Sequence, residues 1–288
     1  MSEREIDDVT GVETTGHEWD GIRELNNPLP RWWLWTFYGS IVFAIGYTIA
    51  YPAWPLLSSA TTGVLGYSSR ADHAAEVAAA KAAQGDTLAR IAELPVADVA
   101  KDEGLARFAS AGGNSLFKVY CSQCHGTGAT GAPGYPNLND DEWIWGGTVD
   151  EIYATIANGA RAPLNDDTHY NFMPNFGSDG LLEGPQISVV AQQVASFTGI
   201  EGGVDTQEGR QLFADNCSSC HGDSGQGAIE LGGPSLNDAI WLYGGSLEEI
   251  KAQIASPKHG VMPAWLPRLG DTAVKQLTIY VHGLGGGQ

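Results

Sequence analysis

Cysteine and methionine are both scarce in this chain of 288 residues, with four of the first and three of the second, one of them at position 1. Any chemistry that sulfur performs therefore falls to very few positions. Basic residues are scarce too: 15 Lys and Arg stand against 34 Asp and Glu, a formal charge of −19. That balance excludes nucleic acid as a natural partner and favours a cationic protein surface, although plain solubility accounts for an acidic surface equally well. Strand signals are weak throughout, which points to an all-α chain. The length leaves room for about two domains of ordinary size plus extra segments.

Charge disappears altogether over one stretch, because no Asp, Glu, Lys or Arg occurs between Trp32 and Ser69. Within it, Trp32 to Tyr51 is almost wholly apolar, and twenty residues at ~1.5 Å each reach ~30 Å, the thickness of a bilayer core. Trp32, Trp33, Trp35 and Phe37 mark one end and Tyr51 and Trp54 the other, the placement of aromatic side chains at the two water interfaces. A single transmembrane helix in contact with lipid is expected, ended by Pro52 and Pro55. The polar, acidic leader before it does not suit a signal peptide, so the anchor is read as uncleaved. Arg23 and Arg31 precede the helix and the first basic residue after it is Arg70, which puts the N-terminus in the cytoplasm. Gly39, Gly46 and Ala50 fall at helical spacing, open to a small-residue contact with another helix or to a plain lipid face.

All four cysteines lie in two C-x-x-C-H pentads, Cys121 to His125 and Cys217 to His221. Two thiols three residues apart on one helical turn can add to the two vinyl groups of a haem, and the adjacent histidine then faces the iron as proximal ligand. A four-thiolate zinc site normally has its pairs closer in sequence and needs no histidine after each. A disulfide across two residues is a redox motif more than a staple. Two covalently bound haem c groups are the expectation, held by Cys121, Cys124, Cys217 and Cys220. Attachment of such haems takes place outside the cytoplasmic membrane, in agreement with the orientation of the anchor.

Downstream of each pentad the sequence repeats without a gap: PNLNDDEWIWGG at 136–147 matches PSLNDAIWLYGG at 234–245. A capping box follows each, Thr148 with Glu151 and Ser246 with Glu249, so a helix starts there. Helices are also expected at Leu105 to Tyr120 and Gln207 to Asn216, entering the pentads. Closing helices are expected at Gln186 to Phe197 and at Asp271 to His282, with Asp271 as N-cap. Ala71 to Leu94 reads as one or two surface helices interrupted near Gly85.

Apart from Met1, the only methionines are Met173 and Met262, each followed by proline late in a repeat. A thioether on the distal face would complete each iron after His125 and His221, raise its potential and leave no open position. His169 and His259 lie nearby but outside the repeated slot, and read as surface or supporting histidines. His17, His73 and His282 have no recurring context. The separations His125 to Met173 (48 residues) and His221 to Met262 (41 residues) suit ligation within a repeat, while exchange between repeats uses the same four residues. The pairing stays open.

The segment GHEWDGIRELNNPLPRWWLWTFY, Gly16 to Tyr38, followed by YPAWP at Tyr51 to Pro55, closely resembles the amino-terminal signature of the dihaem subunit, subunit III, of cbb3-type cytochrome c oxidases. The likeness continues through both pentad repeats. It implies one transmembrane helix followed by two tandem class I cytochrome c domains: a cytoplasmic segment at 1–30, an anchor at 31–55, a partly helical periplasmic linker at 56–104, and domains at 105–200 and 201–288. It further implies a bacterial inner-membrane complex in which this subunit takes electrons from a donor cytochrome c. They pass through a monohaem cytochrome subunit to a catalytic haem–copper subunit that reduces oxygen and pumps protons. Such a chain has no active site of its own. A dihaem carrier for another dehydrogenase or reductase would share the ligands but not the Trp-rich leader, and a dihaem peroxidase would need an iron with an open position.

Overall fold

The computed structural model describes residues 5–287 and divides into two compact units, one up to Ala83 and one from Gln84 onward. In the first, β1 (Thr14–Trp19) and β2 (Ile22–Leu25) pair antiparallel around Asp20 and Gly21. These two residues have φ of 50° and 82°, as a two-residue hairpin turn of type I′ demands. This small sheet departs from the wholly helical expectation, and the Asp-Gly pair was its signal in the sequence.

α1 (Arg31–Ala50) follows, twenty residues long and apolar on every side, with none of them buried. It is long and apolar enough to cross a membrane. The helix stops where Tyr51 turns extended (φ −114°, ψ 163°), the conformation that Pro52 imposes on its predecessor. Stacked aromatic pairs sit near its two ends, Trp33 on Phe37 and Tyr47 on Tyr51. The chain then folds back on the last turn: Val64 N–H donates to Ile49 O (2.9 Å) and Leu65 N–H to Ala50 O (3.1 Å). α2 (Ser69–Ala83) completes the unit.

The second unit is helical. In order it contains α3 (Gly85–Glu93), α4 (Val96–Lys101), α5 (Glu103–Tyr120), α6 (Ser122–His125), α7 (Val149–Asn158) and α8 (Gly184–Thr198). After these come α9 (Gln207–Asn216), α10 (Ser218–His221), α11 (Leu247–Ala255), α12 (Leu266–Leu269) and α13 (Asp271–His282). Both expected capping boxes form, so α7 and α11 start where Thr148 and Ser246 place them.

Packing does not follow the order of the chain. One core joins Phe117 of α5, Ile152 and Ile156 of α7, and Val274, Leu277 and Val281 of α13. The other joins Ile187, Val190 and Val194 of α8, Phe213 of α9, and Ile250 and Ile254 of α11. The helix that closes against α5 is thus the last of the chain, and the one that closes against α9 precedes it. A division at residue 200 separates the two repeats but not the two cores. Trp143 donates its indole N–H to Gly286 O, so the C-terminal tail also returns to the first repeat.

Close approach of α5 and α13 depends on Gly113, where a Cβ would lie 2.1 Å from Gln276 O. Phe117 follows one turn later and meets Tyr280 with ring centroids 5.4 Å apart. A third cluster, with Ile91, Val99, Leu105 and Ile279 all buried, covers this core with α3 and α4. Lys275 is buried there, and its Nζ donates to Ile91 O (3.2 Å) and Ala92 O (2.9 Å), carbonyls of the last turn of α3. Asp271 is not the N-cap of α13, a place that Gly270 takes. Its carboxylate instead accepts from Tyr153 Oη (2.5 Å) and pairs with Lys275 (2.7 Å).

Candidate haem sites

Each pentad lies at the foot of the helix that enters it, α5 at Cys121 and α9 at Cys217. One further helical turn carries the chain to the histidine: His125 N–H donates to Cys121 O and His221 N–H to Cys217 O, both at 2.9 Å. Two thiols and an imidazole are thereby gathered on a single turn in each half.

A bond that occurs twice sets the imidazoles. His125 Nδ1 is 3.0 Å from Pro136 O, and His221 Nδ1 is 2.9 Å from Pro234 O. A carbonyl only accepts, so Nδ1 carries the proton and donates, leaving the Nε2 lone pair for a metal. Burial holds both histidines below the usual imidazole range and so keeps them neutral. Pro136 and Pro234 head the repeated segment, and their carbonyls give the repeat its purpose: it orients the histidine behind it.

Burial pushes the thiols of Cys121 and Cys217 up to about 11, with a smaller contribution from Cys124 and Cys220 beside them. A thiol held protonated in this way is a poor partner in redox exchange. All four cysteines are unpaired, and among the described residues no three His, Cys, Asp or Glu converge as a metal site of their own would require. Thiols consumed by addition to a vinyl group suit this environment.

The methionines lie on exchanged cores. Met262 packs against the core that carries Cys121, and its backbone pairs with Ala160 in both directions (3.0 and 2.9 Å). Trp265 N–H then donates to Ile156 O of α7 (3.1 Å). Met173 packs against the core that carries Cys217, and Gly177 and Ser178 donate to Ala255 O at the end of α11 (3.1 and 3.2 Å). Each methionine loop is anchored to the capped helix of the other repeat. A cavity of about 610 Å³ is lined by Met173, His221, Cys217 and Cys220 together with Val190 and Ile250. That volume falls in the range of cofactor sites, and apolar walls that include both a histidine and a methionine fit a haem.

His169 stacks on Trp145 (ring centroids 4.4 Å apart) with Nε2 2.9 Å from Thr155 Oγ1. His259 meets the edge of Phe172 at 5.1 Å and hydrogen-bonds the Met173 backbone. Sequence reasoning missed Gly113 and Phe117, yet Gly209 and Phe213 stand at the same offsets before Cys217 as they do before Cys121. It also missed Arg161, for which no repeated pattern gives a signal.

The family described as cytochrome c oxidase, cbb3-type, subunit III matches residues 109–191 and 204–281, and the N-terminal domain of cytochrome oxidase-cbb3, FixP, matches 11–58. The chain belongs to this family. It is 54% identical over 286 residues to the cbb3-type cytochrome c oxidase subunit FixP of Sinorhizobium medicae, covering 99% of this chain and 98% of that protein. It is 51% identical to the FixP subunit of Bradyrhizobium diazoefficiens (99% and 98% covered) and 46% identical to the CcoP subunit of Cereibacter sphaeroides (96% and 95% covered). Membership makes the chain a membrane-anchored electron-transfer subunit of a terminal oxidase, and its cytochrome c segments bind haem c.

Proposed function

We propose that this chain carries two haem c groups and relays electrons from a donor cytochrome c to the monohaem subunit and haem–copper centre of a cbb3-type oxidase. Cys121 and Cys124 hold one haem and Cys217 and Cys220 the other. His125 and Met262 ligate the first iron, His221 and Met173 the second. The observation that carries the pairing is the exchange of the methionine loops between the two cores. Bound haem supplies one-electron exchange at iron, with a potential raised by the thioether. The residues of this chain attach it, orient each histidine through a proline carbonyl, and fill both axial positions, so no iron is left open for oxygen.

Arg23 and Arg31 before the anchor favour a cytoplasmic N-terminus, which puts the haem domains in the periplasm beside the donor. The anchor replaces diffusive encounter with a high local concentration at the partner subunits. Purification of the oxidase in detergent should yield this chain with two covalent, low-spin haems beside a monohaem and a haem–copper subunit. Removing its gene should abolish oxidation of cytochrome c by that complex. Undiminished cytochrome c oxidation without the chain would contradict the relay.

A further inference from the structure

Arg161 lies between the two methionine loops and holds both. Its Nε donates to Gly260 O (2.6 Å), two residues before Met262, and its Nη1 donates to Asn171 O (3.2 Å), two residues before Met173. One planar guanidinium thus reaches the same position in each loop, with donors fixed in a rigid fork. The backbone around it belongs to the same arrangement: Arg161 N–H donates to His169 O (2.8 Å), and the preceding Ala160 pairs with Met262.

Two further observations set this residue apart. Its φ is +51°, a left-handed conformation that costs energy in a residue with a side chain and persists where the surroundings enforce it. The guanidinium also lies 6.0 Å from the ring centroid of Phe172, the neighbour of Met173, and Phe172 in turn meets His259 of the other loop. The side chain is half-buried, where charge-assisted bonds to carbonyls are less weakened by water than on the surface.

We propose that Arg161 is a positioning residue for both sixth ligands: it ties the Met173 and Met262 loops together, so that each iron–thioether bond depends on the loop that serves the other iron. The inference rests on the reading of Met173 and Met262 as ligands, but not on which iron each serves. Its consequence is that the two distal sites loosen together.

The test uses the purified full complex carrying Arg161→Gln. Added imidazole should displace methionine roughly tenfold more readily at both irons, as expected from the loss of a charged hydrogen bond in each loop. This is read from the red thioether band and from the low-spin EPR signals that distinguish the two haems. Covalent haem content should stay at the parental level. Arg161→Lys keeps the charge without the fork and should recover part of the loss; it also serves if the glutamine variant fails to assemble. A change confined to one iron, or none at either, would overturn the proposal. Met173→Ala and Met262→Ala in the parental complex separate the underlying reading: if neither alters the thioether bands, the ligand assignment fails whatever Arg161→Gln does.

Discussion

The core that holds Cys121 and the core that holds Cys217 are assembled from the same small parts in opposite chain order. Both have a glycine and a phenylalanine at fixed offsets before the pentad, a histidine bonded to a proline carbonyl, and a capped helix after the repeat. In the first, the closing helix is the last of the chain; in the second, it comes before the entering helix. Local motifs therefore build each half, while the choice of closing helix and of the methionine that packs beside it is made across the repeats. Among the described residues, only the first core has an added layer, α3 and α4, with α3 fastened by Lys275.

The largest difference between the cores should come from their helix crossings. Gly113→Ala places a Cβ 2.1 Å from a backbone carbonyl that cannot move alone. A cost of about 3 kcal/mol is expected. At Gly209 the nearest obstacles are side-chain atoms, Gln193 Oε1 and Thr206 Oγ1, both 3.0 Å away, so shifts of a few tenths of an ångström make room. Gly209→Ala should be close to neutral, since alanine returns up to about 1 kcal/mol of helix propensity. Denaturant unfolding of the two variants measures the contrast, and equal losses would remove it.

Lys275→Met should cost less, about 2 kcal/mol, by leaving the carbonyls at the end of α3 without their charged donor. Hydrogen exchange should rise in α3 and α4 while the core around Phe213 keeps its protection. Faster exchange spread evenly over both cores would show that the added layer is not confined to the first.

The smallest effect concerns Glu142, whose carboxyl is pushed up to about 7, first by burial and next by the facing Asp238. The second repeat has Ile240 at the matching position. A carboxyl that titrates higher in the folded chain than its ordinary 4.5 binds more protons folded than unfolded between those values, so stability falls as pH rises through that window. Glu142→Gln should gain melting temperature relative to the parent at about pH 8 and show little change at about pH 4. The group is only partly buried, so the shift should be small; a gain at the lower pH would contradict the account.

The anchor, the pentads, the capped helices and the closing helices were legible because each rests on a local signal, such as a charge-free run, a spacing, or Ser or Thr three residues before Glu. The hairpin at Asp20-Gly21 was legible too, through a turn pair overlooked beside a helical pattern. Asp271 looked like a cap but serves as the partner of Lys275 and Tyr153, a role set by residues far away in the chain. The exchange of α8 and α13 could not be read, because both carry a similar apolar face and nothing in either sequence states which entering helix it will meet. Arg161 was hidden for the same reason, since its partners, the carbonyls of Gly260 and Asn171, are backbone atoms.

Crossed ligation is the central claim. With Cys217 and Cys220 replaced by alanine, only the haem proposed at Cys121 and Cys124 should attach, so that its sixth ligand can be read alone. Met262→Ala in that background should abolish the red thioether band, and Met173→Ala should leave it intact. Loss of the band in the Met173 variant, with the Met262 variant unchanged, would place both ligands within one repeat and contradict the exchange.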